Sequence, residues 1–325
     1  MDELNKKERF VIIDNLYTYG MLLVILGHVG LSPGFDNIYI YKWIYAFHMP
    51  LFFWIAGYLF DIRVKNWEFI KKKAKKLLTP YVLLTSIVFV PKVIFSKFAA
   101  RPLDGGIESF LISIMNPSMN PIQPLWFLIV LFGVYVLGWM MNNLYIGFYK
   151  YILLGVICMI LSYFLIDVDF IGFSAILYFT PYFCVGIICK RYKLLSLFPL
   201  DSVFMAMISL CFLSIFCMYP MNKYILALIG ITNAISFIGL LYTKNVSFFP
   251  YLRKFTFCIY LLQWFPMAFV RVILFNILGW NLWLCYALMF IGGLFVPILC
   301  ALVVLKLKDF TPNAYRFFKI AIGLP

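Results

Sequence analysis

Apolar residues gather into runs of roughly 17 to 25 residues along the whole chain, and as a helix each run is long enough to cross a hydrocarbon core of about 30 Å. Ten such runs are present, at about 11–31, 43–60, 77–98, 124–141, 150–167, 173–189, 200–219, 223–242, 255–276 and 280–305. The pattern predicts an all-α fold, a polytopic membrane bundle of about ten transmembrane helices. Connections between the runs are short, so residues 1–325 read as one transmembrane domain without a separate soluble part. The first run follows "MDELNKKERF"; it is longer than a signal-peptide core and lacks a small-residue cleavage site, so it reads as a retained span.

Composition agrees, with 65% of residues hydrophobic and only 12% charged, far from the usage of soluble domains. Charge then orients the bundle. With the N-terminus inside, 21 of the 27 lysines and arginines fall on the inner connections and tails, which leaves six for the outer side. That asymmetry follows the positive-inside rule and predicts that both termini are cytoplasmic. The net charge of +14 is therefore mostly topology, and no nucleic-acid partner is expected. All eight cysteines lie in predicted spans without the spacing of a metal site and read as small apolar residues. No phosphate-cradling glycine loop and no histidine cluster is present, so no metal is expected.

Histidine occurs twice, as His28 in "VILGHVG" and His48 in "YAFHMPLFF", both inside predicted spans. An ionisable side chain there is costly and is functional by default. At 1.5 Å per residue both lie roughly 5 to 10 Å below the outer surface, and consecutive antiparallel helices bring them to similar levels. A histidine in a span also serves structurally, through an interhelical hydrogen bond. Equally, imidazole takes and returns a proton near neutral pH, which suits a general base. Pro50 is expected in the first turn of its helix, where a missing N–H costs little.

Residues 61–80, "DIRVKNWEFIKKKAKKLLTP", carry the densest charge. Trp67, Ile70, Ala74 and Leu77 recur at helical spacing, which predicts a basic amphipathic segment over 61–76 that lies in the inner interface and feeds the third span. Two uses stay open: contact with anionic membrane lipid, and a clamp for the phosphates of a cytoplasmic nucleotide-bearing donor.

"RFVIIDNL" followed by "LVILGH", then "AFHMPLFFWIAGYLF", "KKKAKKLLTPY" and "PLWFLIVLF" resemble, in order, the motifs of the integral-membrane acyltransferases of family 3, which include fucose 4-O-acetylase-like proteins and bacterial polysaccharide O-acetyltransferases. The match covers roughly the first 135 residues, and "YFCVGIICKRY" and "FTFCIYLLQW" extend it more weakly. Each motif alone is a hydrophobic phrase of modest specificity; their order carries the likeness. The resemblance implies that His28 is catalytic, that Arg9 occupies the arginine position near the start of the first span, and that Lys72, Lys73, Lys75 and Lys76 meet an acyl-CoA donor. It further implies a multi-pass protein of the bacterial plasma membrane that modifies a polysaccharide. Three positions depart from the pattern: Tyr17 stands where members often have a second arginine, the basic motif is all lysine and so offers no bidentate fork, and Gln263 replaces a frequent histidine.

Taken together, these readings give acetyl-CoA entering from the cytoplasm, with His28 accepting a proton from a hydroxyl of an external glycan or lipid-linked sugar as that oxygen attacks the thioester, directly or through an acyl-enzyme. His48 orients or polarises. Trp126 near the outer face is a stacking candidate for the acceptor, with an interface-belt role as its alternative. Arg271, about five residues inside the ninth span, either snorkels or stabilises an oxyanion. Asp36, Glu108, Asp167 and Asp169 lie in outer connections as further acceptor contacts or plain solvated charge. The rival class is a polytopic transporter or flippase for a lipid-linked sugar, for which an inverted repeat with paired broken helices is expected and not evident.

Overall fold

A computed structural model describes residues 2–29, 39–96, 103–166, 170–196, 202–218, 221–243 and 248–324. Among these residues all regular structure is helical. The chain is an all-α, multi-pass membrane protein. Its principal helices are α1 (Asp2–Val29), α2 (Tyr39–Leu59), α3 (Trp67–Ile94), α4 (Ile107–Met115), α5 (Trp126–Asn143), α6 (Lys150–Phe164), α7 (Phe173–Arg191), α8 (Val203–Met218), α9 (Lys223–Thr243) and α10 (Phe248–Arg253). Then follow α11 (Thr256–Leu262), α12 (Trp264–Phe269), a π-helix (Val270–Ile277), α13 (Leu282–Phe310) and α14 (Pro312–Ala321).

Each of the ten predicted runs coincides with a helix or helical stretch, and among the described residues seven are long and apolar enough to cross a membrane. Helices α6 and α8 are apolar but short, with 15 and 16 residues. Helix α2 has 21 residues, with Lys42, His48 and several tyrosines among them. Pro50 lies in the middle of α2, not in its first turn. The helix begins at Tyr39, ahead of the apolar run, because the aromatic stretch before the run continues the same coil. Pro50 therefore removes one ladder donor, to the Ala46 carbonyl, from the interior of the helix.

The chain divides into two compact units. The first comprises residues 1–59 and 186–299. In it α1 packs against α2, α9, α10 and α11, and α2 packs against α8 and α9. Small residues set these distances, as is usual where lipid removes the hydrophobic drive between helices. A Cβ on Gly186 would lie 2.1 Å from the Trp54 carbonyl oxygen and 2.8 Å from the Tyr58 nitrogen, so α7 meets the backbone of α2 there. On another side Gly230 of α9 receives Phe47, whose Cβ would be 2.4 Å from an added methyl. Helix α2 is thus fixed on both flanks of His48.

The second unit comprises residues 60–185 and 300–325. Here α3 packs on α4, α5 and α14. The predicted amphipathic segment 61–76 is helical only from Trp67; residues 61–66 form a turn. Asn66 ends the turn by accepting the Glu68 N–H, an N-cap that the polar residue before the apolar-periodic stretch signals. From there one helix runs through the lysines and the third apolar run to Ile94 without a break. Its outward side chains include Ile87, Val90 and Ile94, apolar residues suited to lipid.

Replacement of Gly186 by alanine drives a methyl into main-chain atoms that no rotamer change can move. The variant is expected to lose about 1–3 kcal/mol or more of stability, seen as a lower thermal unfolding temperature of the purified protein; an unchanged unfolding temperature would refute the close approach.

Candidate functional site

Within the first unit, polar side chains converge on the C-terminal end of α1. The last four carbonyls of any helix lack donors from their own ladder. In α1, Tyr41 Oη donates to the Leu26 carbonyl at 3.3 Å, Tyr45 Oη to the Gly27 carbonyl at 3.4 Å, and Arg271 Nη2 to the His28 carbonyl at 3.2 Å. Three successive carbonyls of the last turn are thereby satisfied by side chains from α2 and the π-helix. The helices pack closely here: a Cβ on Gly27 would sit 3.5 Å from both Ile44 and Tyr45, an ordinary contact.

His48 lies one turn beyond Tyr45 on α2 and is buried. Its Nδ1 is 2.8 Å from the Ile44 carbonyl oxygen. A carbonyl can only accept, so Nδ1 carries the proton, and in the neutral ring Nε2 is left as the acceptor. The ring also meets the edge of Tyr45, centroids 4.9 Å apart at 83°. His28 differs. Its Nδ1 is buried and makes no hydrogen bond to any described residue. His48 and Arg271 both lie within Coulombic reach of it. One imidazole is thus pinned; the other, within Coulombic reach of a guanidinium, has no partner at Nδ1 among the described residues.

Arg271 owes its place to local backbone chemistry. Pro266 has no N–H for the Leu262 carbonyl, and the ninth apolar run continues as α12 and then as a π-helix over Val270–Ile277. The Leu278 N–H reaches back five residues to the Ile273 carbonyl at 3.0 Å, and Gly279, at φ 64°, ends the run. Such wide turns are rare and concentrate at functional sites. Upstream of Pro266, Gln263 is fully buried, and neither of its amide atoms is hydrogen-bonded within the described residues.

Near the middle of α1, Asp14 pairs with Arg253 of α10 at 2.8 Å. The guanidinium lies 4.2 Å over the ring of Tyr17, and Nη1 also reaches Thr256 Oγ1 at 3.3 Å. The arginine that the sequence pattern leaves out at position 17 is therefore matched by a guanidinium from elsewhere in the chain, stacked on the residue that replaced it. Nothing local in "YLRKF" signals this.

In the second unit, the turn before the lysine run is held from α5. Asn142 Nδ2 donates to the carbonyls of Asp61 and Val64, at 3.2 and 2.7 Å, and Trp139 Nε1 to that of Lys65 at 3.0 Å. Lys72, Lys75 and Lys76 are exposed. Lys73 is not equivalent: its ammonium sits 3.9 Å above Tyr135 and 5.3 Å from Phe69, in a cation–π contact. Arg63, in the exposed turn, is held above its ordinary pKa by the Asp61 carboxylate beside it. Trp126 is half-buried and stacks on Phe179, centroids 5.5 Å apart at 26°. Glu108 is exposed in the first turn of α4. Arg9 lies on α1, and its side chain, like Asp36, Asp167 and Asp169, is outside the described residues.

In this helical multi-pass membrane protein, His28, His48 and Arg271 gather about the end of α1. The family profile described as acyltransferase domain, family 3, matches residues 11–302, nearly the whole chain. The protein belongs to this family and is a membrane acyltransferase. No curated protein and no solved structure gives a significant match.

Removal of both hydroxyls in a Tyr41→Phe, Tyr45→Phe double variant orphans two carbonyls at the end of α1. Stability is expected to fall by about 1–2 kcal/mol, measured by thermal unfolding in nanodiscs, with each single variant losing less. A double variant as stable as the parent would show that these contacts do not hold α1.

Proposed function

We propose that the protein is an O-acyltransferase of the bacterial plasma membrane, which moves an acyl group, in the simplest case acetyl, from cytoplasmic acyl-CoA to a hydroxyl of an extracytoplasmic glycan or lipid-linked sugar. The reading is carried by His28, a part-buried imidazole whose buried Nδ1 has no hydrogen-bond partner among the described residues, beside a second, pinned imidazole and a guanidinium, in a chain of the acyltransferase family. A free ring nitrogen is what a general base needs. Family membership favours the enzyme over a transporter.

In this mechanism the acceptor hydroxyl gives its proton to His28 as its oxygen bonds to the thioester carbonyl carbon. Charge builds on the carbonyl oxygen. Collapse of that intermediate breaks the carbon–sulfur bond, and the leaving thiolate takes the proton from His28 to give free CoA. The products are an ester and a thiol, with no net proton change. His48, its Nδ1–H committed to Ile44, offers Nε2 to the incoming hydroxyl or to the His28 ring. The phosphates of the donor fall to the lysine run of α3, and the exposed Lys72, Lys75 and Lys76 are better placed for them than Lys73, whose charge is already turned onto Tyr135. As point charges they attract phosphate without fixing its orientation.

His28→Ala is expected to insert and fold normally and to lose acyl transfer by 100-fold or more, the order of a general base; near-normal product from well-folded His28→Ala would end the assignment. The lysines give an independent check. A Lys72→Gln, Lys75→Gln variant should raise the donor KM and flatten its dependence on salt, because exposed charge contacts are screened by ions. If the run only anchors lipid, the double variant lowers membrane yield while the donor KM of the surviving protein stays as in the parent.

A further inference from the structure

Arg271 is over-equipped for the one hydrogen bond it makes among the described residues. A guanidinium has five N–H donors, and a single donor suffices for the His28 carbonyl. Nε is buried and has no hydrogen-bond partner within the described residues, and none of their carboxylates lies within ion-pair distance of the guanidinium. Among the described residues its one hydrogen bond is to the His28 carbonyl, while the Tyr41 and Tyr45 hydroxyls donate to α1 carbonyls and Nδ1–H of His48 to Ile44. A full positive charge inside a span, without a counter-ion, is costly and is retained where something else neutralises it. Guanidinium is suited by shape to carboxylate and phosphate.

We infer that Arg271 is a specificity-determining residue which receives an anionic group, a carboxylate or a phosphate, carried by the sugar that is acylated. The inference rests on the acyltransferase reading of this site. Because Nη2 is bonded to the carbonyl of His28 itself, an anion on the rest of the guanidinium lies about one residue's width from the imidazole. The anion and the hydroxyl that gives up its proton therefore belong to the same or an adjacent sugar ring. A neutral acceptor would leave the charge without a counter-ion among the described residues.

The full-length protein, purified in a non-ionic detergent, is titrated with glucuronate, glucuronate methyl ester, glucose 1-phosphate and glucose, and binding is read as saturable thermal stabilisation. Glucuronate, glucose 1-phosphate or both should stabilise the parent, and their ranking identifies carboxylate or phosphate as the preferred group. The methyl ester and glucose should have little effect. Arg271→Gln keeps an N–H for the His28 carbonyl but no charge, and should weaken the anion about ten-fold or more. Arg271→Lys keeps the charge without the fork, should weaken it less, and serves as the charged variant if the glutamine form is unstable. Absence of stabilisation by either anion, equal stabilisation by the methyl ester, or an anion response that both variants retain in full would overturn the inference. Thioester loss from acetyl-CoA in the same preparations reads the enzyme assignment separately. An Arg271-dependent anion response without thioester loss supports the anion site and removes the donor reading; His28-dependent thioester loss without an anion response overturns the inference alone.

Discussion

A helix that ends at membrane depth presents carbonyls for which lipid has no donor, and each one left bare costs several kcal/mol. The end of α1 meets this constraint with Tyr41, Tyr45 and Arg271, and much else in the first unit follows from it. Tyr41, Tyr45 and His48 are spaced four and then three residues apart, which places them on one stripe of α2. The contacts that cap α1 therefore also aim His48 along the same line. Gly186 and Gly230 hold α2 from its other sides. The same contacts hold His48 within Coulombic reach of His28.

Arg271 completes the cap from a segment that departs from α-helical geometry. Pro266 removes a ladder bond, and the π-turns that follow rotate the side chains away from the positions that an uninterrupted helix would give them. A wide turn has a poorer hydrogen-bond ladder than an α-helix, so its retention here points to what it positions. The guanidinium at the negative end of the α1 dipole is also electrostatically favourable. That accounts for its attraction to α1, though a lysine would serve the dipole equally well.

The apolar runs and the two histidines were legible because hydropathy and rare ionisable residues are local signals. The lysine run was legible as charge, yet the different orientation of Lys73 depends on Tyr135, a ring supplied from α5. Tyrosines 41 and 45 were not singled out from the sequence, since nothing in the residue type distinguishes a tyrosine that wets its hydroxyl from one that caps a carbonyl. Hydropathy also placed the start of α2 too late, and Pro50 with it, because tyrosine and tryptophan before the apolar run score as boundary residues while they extend the helix. A π-turn leaves no mark in an apolar sequence; Pro266 was the available hint. The salt bridge from Arg253 to Asp14 joins distant segments, and single-sequence periodicity carries no such pairing.

The two imidazoles differ in a way that bears on the proposed mechanism. A buried polar atom without a partner costs stability, so native proteins retain few of them, chiefly where strain, chemistry or an unseen partner explains the exception. His48 avoids the cost by bonding Ile44, and in doing so fixes its tautomer and loses freedom to turn. His28 accepts the cost at Nδ1, within reach of that fixed ring and of the guanidinium. If both rings were pinned, neither could follow a proton between attacking oxygen and leaving sulfur; if both were loose, neither would hold the acceptor in line. On the proposed mechanism the pair separates these tasks, and the asymmetry of their hydrogen bonds assigns the moving proton to His28.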